Sequence, residues 1–475
     1  MWKAALEEVA NLKGWHLLDR SEAQLIQDIV GELWHKLNYA FLEDTKDLVG
    51  IESQVKELES CLAIGSNDVR IIGVWGMGGI GKTTLARVVF HMVSREFDGC
   101  CFLHNVREVC EKEGLLPLQQ QLIRKILNES IQDVDEGVFV IKNRLRHKRI
   151  LLVLDDVSQL DQLEKLVGEH NWFGSGSRVI ITTRDKHLLH THEVDEICVT
   201  KTLSDDEALH LLSLKAFKKD HPPEDYLQLS KDVVQYTKGL PLAIEILGST
   251  LFNRYINQWK SILFRVKKFP DRAIFEALKI SYDGLHETEK KIFLYIACFF
   301  NHENKNSVVR KLDYLDLYPA IGLVVLVEKS LIKMNEVGVW MHDLVQDMGR
   351  KIVHEECPEE PGKRSILWSF EDINSVLTKN TGTEAIQGIV LKLPESKEAY
   401  WNPESFLKMH HLKLLTIDNV QLLHEPKHLP IGLRFLEWGG YPSKSLPLNF
   451  QSNDLVELYM CCCHIEQLWK GAKVI

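Results

Sequence analysis

The sequence predicts an α/β domain with a parallel sheet, followed by a helical domain, a winged-helix domain and the start of a leucine-rich-repeat solenoid. Three observations carry that reading. Short apolar runs alternate with amphipathic helical stretches up to about residue 200, the pattern then becomes helical, and the last hundred residues repeat a leucine motif at intervals of 21 and 22 residues. At 475 residues the chain has room for three or four domains.

Ser21-x-x-Gln24 is a capping-box pattern, and Ile26, Val30, Leu33 and Leu37 fall on one stripe, so residues 21–47 read as a linker helix. From 48 to 200 the strands are Arg70–Trp75, Cys100–Leu103, Arg149–Leu154 and Ser177–Thr183, with helices on both faces of their sheet. Residues 201–278 form the helical domain. Ser204-x-x-Glu207 caps a helix bearing Leu209, Leu212 and Ala216, Gly239 ends another, and Pro241 opens the next. Residues 279–372 carry helices around a hairpin, Leu331–Met334 and Val339–Met341, the pattern of a winged helix. In 373–475, repeats begin at Leu412, Leu433 and Leu455, with an irregular earlier unit at Ile386-x-x-Ile389-x-Leu391.

Composition narrows the function classes. Hydrophobic residues make up 45% and charged residues 26%, ordinary globular usage, and the net charge of −10 gives no general attraction to nucleic acid. The basic run Lys142–Arg149 reads as a solvated helix end, and no basic recognition helix marks the winged-helix region, so DNA is not an expected partner. Ten cysteines, none in C-x-x-C spacing, fit reduced thiols in the cytosol. The triplet Cys461, Cys462, Cys463 on an extended strand would face both ways and could not converge on one metal. His187, His190 and His192 read as a solvated loop rather than a zinc site. Lys3, Glu7 and Glu8 break any signal peptide, and the longest apolar run, Ile292–Phe300, is too short to span a membrane.

The chemistry begins at Gly76-x-x-x-x-Gly81-Lys82-Thr83, between an apolar strand and a helix whose Leu85, Val88, Val89 and Met92 share a face. Glycines at 76, 78, 79 and 81 let backbone N–H groups wrap an anion, Lys82 reaches a β- or γ-phosphate, and Thr83, followed by Thr84, supplies a hydroxyl for Mg²⁺. Seventy-three residues after Lys82, the strand Ile150–Leu154 delivers Asp155 and Asp156 at its C-terminal end, where open sheets bind ligands. These are the candidate catalytic pair, with Thr83 and Asp155 the candidate Mg²⁺ ligands. Arg184, ending the next strand, is placed to sense a γ-phosphate or to make an ordinary salt bridge. The expected fold of residues 48–200 is thus a P-loop NTPase domain.

GMGGIGKTT (76–84), ILLVLDDV (150–157), GSGSRVIITTRD (174–185), GLPLA (239–243) and MHD (341–343) stand in the order of the NB-ARC switch of plant nucleotide-binding leucine-rich-repeat disease-resistance proteins, which the chain resembles nearly throughout. FLHNVREV (102–109) and the Asp156-Val157 ending resemble the subgroup with an N-terminal Toll/interleukin-receptor (TIR) domain. The resemblance makes 201–278 ARC1-like and 279–372 ARC2-like. It implies that Val49 and Gly50 lie near the base, Pro241 packs on adenine or ribose, and His342 contacts the β-phosphate of ADP. It also implies that the chain is off with ADP, on with ATP and self-oligomerising when on, resetting by at most slow hydrolysis, since Asp156 replaces the glutamate of vigorous P-loop ATPases. Residues 1–20 resemble only the last helix of a TIR domain, so NAD cleavage is not expected, and the repeats read as truncated. A pathogen effector or guarded host protein would meet the repeats, TIR-bearing receptors are candidate partners, and the setting would be cytoplasmic or nuclear.

Overall fold

The structure is a computed structural model that describes residues 48–268, 270–448, 450 and 454–468. The linker helix expected at 21–47 and the TIR-like residues 1–20 lie outside the described residues.

The first domain is built on five parallel strands, β1 (Arg70–Trp75), β2 (Gly99–Leu103), β3 (Ile150–Val157), β4 (Arg178–Thr183) and β5 (Glu196–Val199), in the order β2-β3-β4-β1-β5. Around it lie α1 (Glu52–Leu62), α2 (Lys82–Val93), α3 (Val106–Glu113), α4 (Leu116–Leu127), α5 (Val134–Arg144), α6 (Leu160–Leu166) and α7 (Lys186–Thr191). Because successive strand residues point to opposite faces, Ile71, Leu152 and Ile181 join one core with α4 to α6, while their neighbours Ile72, Val153 and Ile180 join another with α1 and α2. The fully buried Arg178 ties the layers together, its guanidinium donating to the carbonyls of Leu62 and Ala63 at the end of α1.

Sequence patterning missed β5, a four-residue edge strand with one buried residue. It also misjudged two surfaces. Ala86 and Val93 are buried on α2 whereas Met92 is half exposed, and residues 186–191, expected as a loop, form the short helix α7.

A second domain packs α8 (Asp205–Phe217), α9 (Leu227–Thr237), α10 (Pro241–Leu251) and α11 (Ile256–Lys268) around the buried Trp259, whose ring stacks on Phe217 at 5.2 Å. The Ser204–Glu207 capping box starts α8 as its sequence signals. Helix α12 (Arg272–Asp283) leads into α13 (Glu287–Tyr295), α14 (Lys305–Tyr314), α15 (Pro319–Glu328), the hairpin β6 (Lys333–Met334) and β7 (Val339–Trp340), and α16 (Asp343–Glu356). The apolar run Ile292–Phe300 is the buried centre of this domain, and among the described residues no helix is long and apolar enough to cross a membrane.

After β8 (Ile366–Leu367) and α17 (Phe370–Lys379), strands β9 (Gly388–Ala399), β10 (Leu414–Leu422), β11 (Phe435–Trp438) and β12 (Glu457–Tyr459) stack in one parallel sheet. Leu414 pairs with Phe435 and Phe435 with Glu457, which reproduces the 21- and 22-residue intervals of the leucine pattern. The cysteine triplet is not on an extended strand as expected. It follows β12, and Cys462 is exposed with φ +53°.

Candidate functional site

Two cradles meet at the C-terminal ends of β1 and β3. At the first, Gly79 and Gly81 take φ of +78° and +100°, left-handed conformations that glycine adopts without penalty, and the chain turns into α2 with Lys82 as its first residue. That leaves the first-turn N–H groups of α2 directed at the cleft, the usual setting for an anion. Lys82 is buried, and its Nζ folds back to donate to the carbonyls of Gly76 (2.8 Å) and Met77 (2.9 Å). Burial, reinforced by the nearby Arg184 cation, pulls the ammonium down to about 7, against the opposing pull of Asp156 and Asp155.

At the second, Asp155 is only 1% exposed, and its Oδ1 accepts from both Thr83 Oγ1 (2.7 Å) and Thr182 Oγ1 (2.8 Å). A hydroxyl and a carboxylate oxygen held together are hard donors suited to Mg²⁺, which completes its shell with water and phosphate oxygens. Thr83 and Asp155 are the candidate ligands on that geometry.

Asp156 lies one residue on, at φ +58°, where the register between β3 and β4 shifts. Arg107 donates to its Oδ2 at 3.0 Å and Arg184 to its Oδ1 at 3.4 Å. Both oxygens are therefore engaged, a poor arrangement for a base that must take a proton from water. Arg184 also donates to the carbonyl of Ala277 on α12 at 2.6 Å, and desolvation lowers the pKa of its guanidinium.

A cleft of about 390 Å³ brings together Val49, Gly50, Gly79, Gly81, Lys82, Thr83, Thr84, Asp156, Arg184 and Pro241. The second domain closes one side of it, since Leu242 N donates to Gly79 O at 3.1 Å. Four expected site residues do not line the cleft. Asp155 sits beneath it, Gly76 packs on Thr200, and Gly78 lies where an added Cβ would stand 2.6 Å from Arg184 Nη1. His342 caps α16, its Nδ1 accepting from Leu344 N at 3.2 Å, and the backbone of Lys238 also faces its buried ring. Burial lowers the pKa of His342.

Arg107, Thr182 and Asn105 were not marked as site residues by sequence reasoning. Arg107 was visible inside FLHNVREV, and its place just past the C-terminal end of a strand was the signal that it faces the ligand edge.

Comparison with known proteins bears on the family and the fold. The NB-ARC domain family matches residues 51–222, and the disease resistance protein Roq1-like winged-helix domain matches 286–357. Over 99% of its length the chain is 40% identical to disease resistance protein RUN1 and 41% identical to disease resistance protein RPV1, both of Vitis rotundifolia, covering 38% and 36% of those proteins. It is 38% identical to TMV resistance protein N of Nicotiana glutinosa, again over 99% of the chain and 42% of that protein. The chain thus spans about two fifths of the length of these relatives. The P-loop fold of the NB-ARC family implies nucleotide binding.

Proposed function

We propose that this chain, which belongs with the NB-ARC-containing plant disease-resistance proteins, is an ADP/ATP-binding switch of plant immune signalling. The observation that carries the proposal is the position of the cleft. Its phosphate-binding floor comes from α2 and its lid from Pro241 and Leu242 of the second domain, so the bound nucleotide touches two domains whose relative placement it can control.

In this reading the N–H groups of the loop and Lys82 bind the phosphates, Val49, Gly50 and Pro241 receive the base and ribose, and Thr83 and Asp155 hold Mg²⁺, which would neutralise phosphate charge. The closed, ADP-bound form is off. ATP favours an open form that self-associates, and the repeats meet an effector, a guarded host protein or a TIR-bearing receptor in the cytoplasm or nucleus. His342 stands outside the cleft lining in this structure, and its contact with the β-phosphate rests on the family resemblance alone. The occupied oxygens of Asp156 support slow hydrolysis, with Asp155 and Asp156 placed to order the site more than to drive turnover.

The test is the nucleotide that copurifies with the chain, followed by calorimetry with ADP and ATP. ADP in the purified protein, and loss of tight binding of both nucleotides in a folded Lys82→Ala variant, are the expected results. A Lys82→Ala protein that binds as tightly as the parent refutes the phosphate-loop assignment.

A further inference from the structure

Arg107 stands in the first turn of α3 on a wall shared by two cavities, the nucleotide cleft and a second of about 550 Å³ that reaches Gln159, Ser281 and Lys329. Its Nε donates to Asp156 Oδ2 at 3.0 Å, its Nη2 lies 3.0 Å from the same oxygen, and its Nη1 lies 3.5 Å from Glu111. Arg184 reaches only the other oxygen of Asp156, at the longer distance of 3.4 Å. One carboxylate is thus shared unequally between two guanidiniums. The short, two-pronged contact belongs to Arg107, which lies off the phosphate loop, and the long contact belongs to Arg184, whose Nη1 lies against Gly78 of that loop.

A single negative charge satisfied by Arg107 has little left to hold Arg184. With Arg107 uncharged, Asp156 would have Arg184 as its nearest remaining cation, and attraction at this separation in a partly dry site would draw that guanidinium onto the carboxylate. Its N–H groups would then turn away from the phosphate loop and from Ala277.

We infer that Arg107 is a positioning residue: by engaging Asp156 it leaves Arg184 free to meet the terminal phosphate of a nucleoside triphosphate. The inference rests on the nucleotide-switch reading above. Since a diphosphate lacks the terminal group, the effect belongs in the ratio of triphosphate to diphosphate affinity. The bond from Arg184 to Ala277 carries the same event to α12, at the entrance to the winged-helix domain.

The test uses the full chain, stripped of nucleotide, with calorimetric Kd values for ADP and for a non-hydrolysable ATP analogue in Mg²⁺. Arg107→Gln should raise the Kd of the analogue about tenfold more than that of ADP, the scale of one charge-assisted hydrogen bond. Adding Asp156→Asn to that variant removes the competing charge and should return the ratio to within about twofold of the parent, a rescue that loss of packing would not show. Asp156→Asn alone should leave the ratio within about twofold of the parent, because a carboxylate already held by Arg107 has little pull on Arg184, and this keeps the inference testable if Arg107→Gln does not fold. Equal weakening of both ligands by Arg107→Gln, or no recovery in the double variant, overturns the role of Arg107. If Asp156→Asn is the only variant that folds, a ratio that shifts about tenfold toward the analogue overturns it as well, because it shows that Asp156 restrains Arg184 despite Arg107. A parent that binds neither nucleotide overturns the switch reading and this inference with it, whereas a parent that binds both, with a ratio that Arg107→Gln does not move, overturns only this inference.

Discussion

Lys329, just past the end of α15, pairs with Asp185, one residue beyond Arg184, at 2.7 Å, and their side chains are only 22% and 17% exposed. The same seam holds Trp75 Nε1 on the carbonyl of Glu328 at 2.8 Å and Ser330 Oγ on the carbonyl of Arg184 at 3.4 Å. The winged-helix domain is therefore fastened to the strand ends that form the nucleotide site.

Lys329→Ala should loosen that fastening. A charge-assisted hydrogen bond with shielded partners contributes about 1.5 to 3 kcal/mol, and its loss leaves Asp185 without its lysine. We expect release of a fluorescent ADP analogue to quicken about tenfold in stopped-flow measurements. An unchanged release rate would mean that this seam does not restrain the nucleotide.

Lys82 makes binding depend on pH. Its ammonium is held near pH 7 without ligand, and a phosphate at the loop would raise it again. Above pH 7 binding should therefore take up a proton and weaken by up to about tenfold per pH unit. The sign for the unliganded fold is the reverse: the unfolded lysine holds its proton to about pH 10, so this group's destabilisation is present below pH 7 and fades as pH rises from 7 to about 10. Calorimetry at pH 8 in buffers of different ionisation enthalpy measures the uptake directly, and zero uptake contradicts the assignment.

Asp343→Val should act weakly. Asp343 faces Lys238 at 3.5 Å and both side chains are about half exposed, so the pair contributes at most about 1 kcal/mol. The ratio of bound ATP to ADP should rise by no more than about fivefold, with a matching modest gain in the oligomeric fraction on size exclusion. Lys82→Ala in the same chain should cancel both. A complete switch to ATP would show that Asp343 does more than pair with Lys238.

Gly239→Ala should cost about 1 to 3 kcal/mol. Gly239 has φ +72°, and an added Cβ would collide with the carbonyl oxygen of Leu203, a residue of the cleft wall whose N–H donates to Gly239 O at 3.0 Å. Thermal unfolding should drop by several degrees and ADP affinity should fall with it, because the displaced backbone carries the turn into Pro241. An unchanged melting temperature would show that the turn accommodates the methyl group.

Local rules made much of the molecule legible. The glycine spacing before Lys82 names an anion cradle because few other sequences let backbone N–H groups converge, and the leucine intervals name stacked strands because each repeat must bury the same face against its neighbours. The Ser204 cap and the Gly239–Pro241 punctuation act within a few residues and hold in the fold. The edge strand β5 was not legible, because four residues with one buried side chain carry almost no period.

Tertiary structure alone decided the charge arrangement. Arg107, Asp156, Arg184 and Ala277 come from four separate stretches of chain and meet because β3 lies between β2 and β4 and α12 reaches Arg184. The sequence alone determined that Lys82 follows a glycine-rich turn between a strand and a helix. That its amine is withdrawn onto the Gly76 and Met77 carbonyls, and that Asp156 sits between two arginines, depend on desolvation and distances between distant segments, quantities no local pattern encodes.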